Sequence, residues 1–268
     1  MTCKSGLCEE YLKIHEHPVS VTSFHGYCNV CKKELEIELV SQFHQSLPPF
    51  VPKNGKGIGM FLKHKLQKKM IIMTRAGITT AAGIPDFRTP GTGLYDNLQK
   101  YNVPYPEIVS TLDYFDEHPE VFFAIKGHLM PGQGKYFPTA THYFISFLIQ
   151  KGIDLKYFSQ NTDGLDIEVG IQREKVILCH GHFYTGHCRK CNKQFGIDYY
   201  FEDVKNERIP YCPCGGVIKP DIVFFGESMP GEFFDGLELF NEADFLLCMG
   251  ISLTVRPFCN LVNKVQFL

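Results

Sequence analysis

Ala76-Gly77-Ile78-Thr79-Thr80-Ala81-Ala82-Gly83-Ile84-Pro85-Asp86-Phe87-Arg88 is the stretch on which the fold turns. It follows Lys69-Met70-Ile71-Ile72-Met73-Thr74, a short apolar run that reads as a buried strand, and Thr79-Thr80-Ala81-Ala82 reads as a helix start. Small residues between a strand and a helix let a diphosphate approach the backbone amides at the helix N-terminus. The spacing is not Gly-x-Gly-x-x-Gly, so the generic dinucleotide pattern carries little weight here. The literal string is far more specific.

Two further strands lie downstream. Asp154-Leu155-Lys156-Tyr157-Phe158-Ser159 follows a helical pattern through Tyr143, Phe144, Phe147 and Leu148, and Phe245-Leu246-Leu247-Cys248-Met249 follows a helical stretch around Phe233 to Phe240. Strands alternating with helices predict an α/β fold, a doubly wound parallel sheet of Rossmann type. Ligands of such sheets bind beyond the carboxyl ends of the strands. Polar or glycine residues follow all three: Thr74-Arg75-Ala76-Gly77, Gln160-Asn161-Thr162-Asp163 and Gly250-Ile251-Ser252.

Composition narrows the function classes. The 268 residues carry a formal net charge of −2, which gives no global electrostatic case for nucleic acid or an anionic membrane. Seven Lys or Arg and no acid lie between Lys53 and Arg75, read as a solvated linker and helix face with a phosphate or partner contact as the alternative. No stretch has the roughly 18 apolar residues of a membrane span, and Thr-Cys-Lys-Ser-Gly after Met1 is not an apolar signal core. An intracellular, reducing location is therefore expected, with nucleus and cytoplasm not distinguished.

Eleven cysteines in a reducing compartment call for metal rather than disulfides. Cys188-x2-Cys191 and Cys212-x-Cys214 offer four thiolates in two close pairs, the donor set of a closed structural zinc site. The single residue between Cys212 and Cys214 is tight for a knuckle, and His182 or His187 stands near enough to replace one ligand. Cys3, Cys8, His15, His17, Cys28 and Cys31 form a second candidate set. Three zones follow: a Cys/His-rich module over residues 1–40, a Pro/Gly linker over 41–60, and a main domain over 61–268 with the zinc module inserted at about 180–217.

The string from residue 76 to 88 resembles the sirtuin signature. The resemblance continues through Pro90-Gly91-Thr92-Gly93-Leu94-Tyr95, Gln160-Asn161-x-Asp163, His180-Gly181, the cysteine pairs, Lys219-Pro220-Asp221-Ile222-Val223-Phe224-Phe225-Gly226-Glu227 and Gly250-x-Ser252. It implies an enzyme that consumes NAD to deacylate protein lysines, releasing nicotinamide and O-acyl-ADP-ribose. By the same resemblance Ala76, Gly77, Thr79, Asp86, Phe87 and Arg88 would shape the cofactor pocket. Gln160, Asn161, Thr162 and Asp163 would face ribose and nicotinamide, with Asn161 and Asp163 positioning the cofactor. Gly250, Ile251 and Ser252 would hold the ribose-phosphate half. His180 would be the general base, a role that an ordinary imidazole pKa near 6.5 suits. Val223, Phe224, Phe225, Gly226 and Glu227 would form an edge for the acyl-lysine peptide to join as a strand, the two phenylalanines lining a tunnel.

Arg75, Thr162 and Ile251 depart from the family pattern, where glycine, an apolar residue and threonine are usual. Sirtuins also continue with a further strand beyond the equivalent of Pro257-Phe258, so the resemblance leaves two expectations: the sequence is a fragment of a longer chain, or the adenine pocket and one part of the sheet are incomplete. These departures keep two alternatives open: a catalytically impaired reader of acyl-lysine and ubiquitin, and a mono-ADP-ribosyltransferase. Residues 1–40 resemble the carboxyl half of a ubiquitin-protease-type zinc finger, which implies ubiquitin as a partner, with Tyr27 at an aromatic pocket position.

Overall fold

The computed structural model describes residues 19–22, 25–28, 33–36, 57–59, 62, 69–84, 101, 103–253 and 258–265. Its strands, in chain order, are β1 (Val19–Thr22), β2 (His25–Cys28), β3 (Lys33–Glu36), β4 (Met70–Thr74), β5 (Leu155–Ser159), β6 (Val176–Leu178), β7 (Gly181–Cys188), β8 (Gln194–Gly196), β9 (Ile218–Ile222) and β10 (Phe245–Met249). The helices used below are α1 (Leu112–Glu117), α2 (Pro119–Lys126), α3 (Ala140–Gln150), α4 (Leu165–Glu168) and α5 (Ile197–Lys205). Among the described residues no helix is long and apolar enough to cross a membrane.

A parallel sheet has the strand order β10-β4-β5-β6, with β10 and β4 paired from Phe245↔Met70 to Met249↔Thr74. Every residue of β4 is buried, as a continuous apolar run in a central strand demands. The predicted strands at 69–74, 154–159 and 245–249 are thus found within one residue of their expected ends. β6 was not anticipated. β1, β2 and β3 form a separate antiparallel sheet.

The chain divides into two compact units. One comprises Met1–Arg75, Phe147–Phe158 and Asp235–Leu268; the other comprises Ala76–Ser146 and Ser159–Phe234. In the first, Thr74 and Tyr157 share a buried 2.7 Å hydroxyl contact, and Phe158 packs on Phe240 at 4.9 Å between centroids. Lys69 of the basic stretch spends its charge on an exposed pair with Glu242, a surface role. In the second, Phe115, Phe122, Phe123, Phe183, Tyr200 and Phe224 form an aromatic core.

Two expected helices take another form. Residues 76–84 hold two short 3-10 turns, Ala76–Ile78 and Thr80–Ala82. The Thr79 hydroxyl donates to the Ala76 carbonyl at 2.9 Å and Thr80 donates to Gly77 at 3.3 Å, so side chains compete for the carbonyls that a regular helix would use. Gly83, at φ +85°, then turns the chain left-handed. The stretch from 233 to 240 is divided among Gly231–Asp235, the 3-10 turn Gly236–Glu238 and Leu239–Glu242.

Candidate functional site

Within the second unit, Cys179 N–H donates to the Ser159 carbonyl at 2.8 Å, which holds the exits of β5 and β6 together. One exit carries Gln160-Asn161-Thr162-Asp163, the other His180. His180 Nδ1 lies 3.1 Å from the Gln160 carbonyl oxygen. A carbonyl only accepts, so Nδ1 carries the proton and Nε2 is the basic nitrogen. Gly181 follows His180 at φ +73°, and a Cβ there would stand 1.9 Å from the Asp221 carbonyl oxygen. Only glycine lets β9 pass so close to the histidine.

The 160–163 turn is polar and buried. Asn161 N–H donates to Ser159 Oγ at 3.2 Å, and Leu165 N–H to Asp163 Oδ1 at 3.0 Å. Burial pushes the Asp163 carboxyl up to about 7, with the neighbouring Asp166 charge acting the same way. Gln160 Oε1 and Asn161 Nδ2 are buried without a hydrogen-bond partner. A buried unpartnered acceptor and a buried unpartnered donor on consecutive residues suit a polar ligand such as an amide or a sugar hydroxyl.

Beneath this turn lies a network that the sequence reading missed. Ser159 Oγ donates to Asp166 Oδ2 at 2.6 Å, and Asp166 Oδ1 stands 3.7 Å from His142 Nε2. Thr139 N–H donates to His142 Nδ1 at 3.0 Å, and the Thr139 hydroxyl donates to the Ile78 carbonyl at 2.8 Å. Nδ1 therefore accepts, and Nε2 carries the proton, too far from Asp166 for a hydrogen bond. Burial lowers the His142 pKa, against the pull of Asp166, and favours the neutral ring. The chain links Ile78, in the first turn of the quoted stretch, to the backbone of Asn161. Its sequence signal was the polar residues His142 and Ser159 inside otherwise apolar patterns.

Ala76 and Gly77 lie in the first 3-10 turn, and Thr79 is buried behind it. Asp86, Phe87 and Arg88 lie outside the described residues. In the first unit, Gly250 is left-handed at φ +65°, Ile251 is buried, and Ser252 Oγ accepts from Arg75 Nη1 at 3.4 Å. Arg75 is not among the described residues with positive φ.

The four thiols Cys188, Cys191, Cys212 and Cys214 gather within 4.8 Å of one another. Cys188 and Cys214 sulfurs are 3.4 Å apart, Cys191 and Cys212 sulfurs 3.6 Å. A tetrahedral zinc with bonds of about 2.3 Å sets sulfurs roughly 3.8 Å apart, so the cluster fits that ion. The tight Cys212-Pro213-Cys214 knuckle is relieved by Gly215 at φ +82°, where the chain reverses. Gly216 lets the strand press on the cluster, since a Cβ there would meet Cys188 Sγ at 2.6 Å. Neither histidine substitutes: His187 Nδ1 pairs with Asp221 Oδ1 at 2.7 Å, and the His182 ring packs on Tyr184. The module is the antiparallel sheet β8-β7-β9 with α5 beside it. Of the other candidate set, Cys28 ends β2, while Cys3, Cys8, His15, His17 and Cys31 lie outside the described residues.

Residues 223–227 are not a regular strand. β9 ends at Ile222, and Phe225 makes one isolated bridge with Thr111, its N–H donating to Ser110 at 2.8 Å. Gly226, at φ +89°, and the bond from Glu227 N–H to the Phe224 carbonyl close a turn. Phe224 is buried against Phe115 and Phe122, whereas Phe225 is 59% exposed. Only Phe225 offers its ring to a partner. Lys219 fixes the turn from below: its ammonium lies 3.0 Å from Glu227 Oε2, donates to the Ile222 carbonyl at 2.8 Å, and sits 4.1 Å from the Phe224 ring centre.

With these groups in place, comparison with known proteins gives a single answer. The Sir2 family model matches residues 75–257. The chain belongs to the Sir2 family. It is 50% identical over 203 residues to the NAD-dependent protein deacetylase sirtuin-2 of Danio rerio, a match over 74% of this chain and 53% of that protein. It is 43% identical over 210 residues to the NAD-dependent protein deacetylase sirtuin-3 of Mus musculus, covering 78% and 62%. A NAD-dependent deacetylase of Dictyostelium discoideum is 44% identical over 211 residues, covering 77% and 41%. This Sir2-family chain thus matches about half of the length of these relatives.

Proposed function

We propose that this chain is an NAD-dependent protein-lysine deacylase acting on acetylated proteins. The observation that carries the reading is the imidazole of His180, fixed through Nδ1 and set beside a turn with two buried, unpartnered amide atoms. NAD, when bound, supplies the breakable nicotinamide–ribose bond and the ADP-ribose that takes the acyl group. His180 Nε2 is the proton acceptor for a ribose hydroxyl. Gln160, Asn161, Thr162 and Asp163 orient the ribose and nicotinamide side. Ala76, Gly77, Thr79, Asp86, Phe87 and Arg88 shape the pocket, and Gly250, Ile251 and Ser252 hold the ribose-phosphate half. Val223, Phe224, Phe225, Gly226 and Glu227 form the wall for the acyl-lysine peptide, with Phe225 as its exposed ring. The four-cysteine module holds zinc as a structural ion. Residues 1–40 are assigned to ubiquitin on their resemblance alone.

Purified protein, NAD and an acetyl-lysine peptide should yield nicotinamide and deacetylated peptide, and His180→Ala should abolish that yield. Peptide binding without turnover would replace the reading by that of a reader. NAD-derived label on protein without deacetylation would replace it by ADP-ribosyl transfer.

A further inference from the structure

Ser159, the last residue of β5, is fully buried, and hydrogen bonds from several elements meet on it. Its carbonyl accepts from Cys179 N–H at 2.8 Å, which fixes the residue before His180. Its hydroxyl donates to Asp166 Oδ2 at 2.6 Å, and the same oxygen accepts from Asn161 N–H at 3.2 Å. A hydroxyl has one proton and two lone pairs. With the proton directed at Asp166, a lone pair is left for the Asn161 amide, so the carboxylate decides which way the hydroxyl works. Turned round, the O–H would face the Asn161 N–H, donor against donor, and the turn could not close as it does.

That closure matters because of what the turn carries. The Gln160 carbonyl holds His180 Nδ1 at 3.1 Å, and Asn161 and Asp163 follow along the chain. Asp166 lies in the first turn of α4, where Leu165 N–H donates to Asp163 Oδ1 at 3.0 Å. On the other side of Asp166 stands His142 of α3, with its Nδ1 engaged by Thr139. A hydroxyl–carboxylate bond this short between buried groups is charge-assisted and holds its direction.

We infer that Ser159 is a positioning residue for the cofactor: its hydroxyl, oriented by Asp166, holds the turn from Gln160 to Asp163 in the shape that meets the nicotinamide–ribose end of the dinucleotide. The inference rests on the NAD reading above and adds to it two buried residues that act through the turn.

Ser159→Thr and Ser159→Val add nearly the same bulk to a strand end and differ in the hydroxyl. Calorimetric titration of the whole chain with NAD and, separately, with an acetylated peptide tests the role. Ser159→Thr should bind NAD within about threefold of the parent, whereas Ser159→Val should bind it about tenfold more weakly or worse. Peptide affinity should be the same in both variants, because the hydroxyl serves the cofactor side. Equal NAD affinity in the two variants overturns the role of Ser159 while the NAD reading stands. A valine variant that loses peptide affinity as steeply as NAD affinity also overturns it, by assigning the hydroxyl to stability alone. A parent chain that takes up no NAD overturns both readings. Should either variant not fold, Asp166→Asn decides: it should weaken NAD by about threefold or more, and an affinity equal to the parent's sinks the proposal.

Discussion

The hydroxyl of Ser159 donates to Asp166 Oδ2 at 2.6 Å, and this bond holds a negative charge in the interior close to Asp163. Asp163, itself buried and already penalised for ionising, is pushed up to about 7 from an ordinary 3.8. Between those pH values the folded chain keeps a proton that the unfolded chain has released. Stability therefore falls as pH rises through that window, by an upper limit of about 4 kcal/mol. Asp163→Asn does not titrate. Its melting temperature relative to the parent should climb between pH 5 and pH 8, as thermal denaturation at several pH values would record. A difference that stays constant would mean that Asp163 is ionised throughout.

The sulfur cluster makes a prediction about metal content. Cys191→Ser should lose one equivalent of zinc relative to the parent, measured by atomic emission on the purified protein. A few kcal/mol of lost stabilisation corresponds to a melting temperature lower by roughly 10 °C for a chain of this size. Retention of the full zinc complement would show that the four sulfurs do not share one ion.

Lys219 and Glu227 brace the turn that carries Phe225. Burial lowers the Lys219 pKa and Glu227 raises it again, so the ammonium depends on its partner. Lys219→Met should raise KM for an acetylated peptide by about tenfold, leaving KM for NAD nearly unchanged, because the brace supports the turn proposed as the peptide wall. Steady-state kinetics with each substrate varied in turn would separate the two. An equal rise in both would point to general unfolding.

Gly181→Ala forces a methyl group toward the Asp221 carbonyl from a left-handed residue. Strain and overpacking together should cost about 3 kcal/mol or more, seen as a lower urea midpoint. An unchanged midpoint would mean that β9 moves aside without penalty.

The sequence made some of this readable and not the rest, for physical reasons. Strands β4 and β10 announce themselves because a buried parallel strand must be apolar along its whole length. His180 and the cysteine pairs are legible as local strings, since ligand spacing is fixed by short turns. The Thr139–His142–Asp166–Ser159 network is not local: it joins two helices, a loop and a strand end, and no periodicity ties those positions together. The expected helix at Thr79 failed because propensity does not register a threonine hydroxyl competing for a carbonyl. The separation of Phe224 from Phe225 likewise depends on Gly226 and Lys219 closing a turn rather than extending a strand.

Gln160 Oε1 and Asn161 Nδ2, buried and without a hydrogen-bond partner, gain from any polar group that reaches them. Small carboxamides, which answer one acceptor and one donor at a stroke, should raise the chain's melting point where hydrocarbons of equal size do not. A fragment screen by thermal shift would then test the proposed nicotinamide site at Gln160 and Asn161 before any turnover is measured.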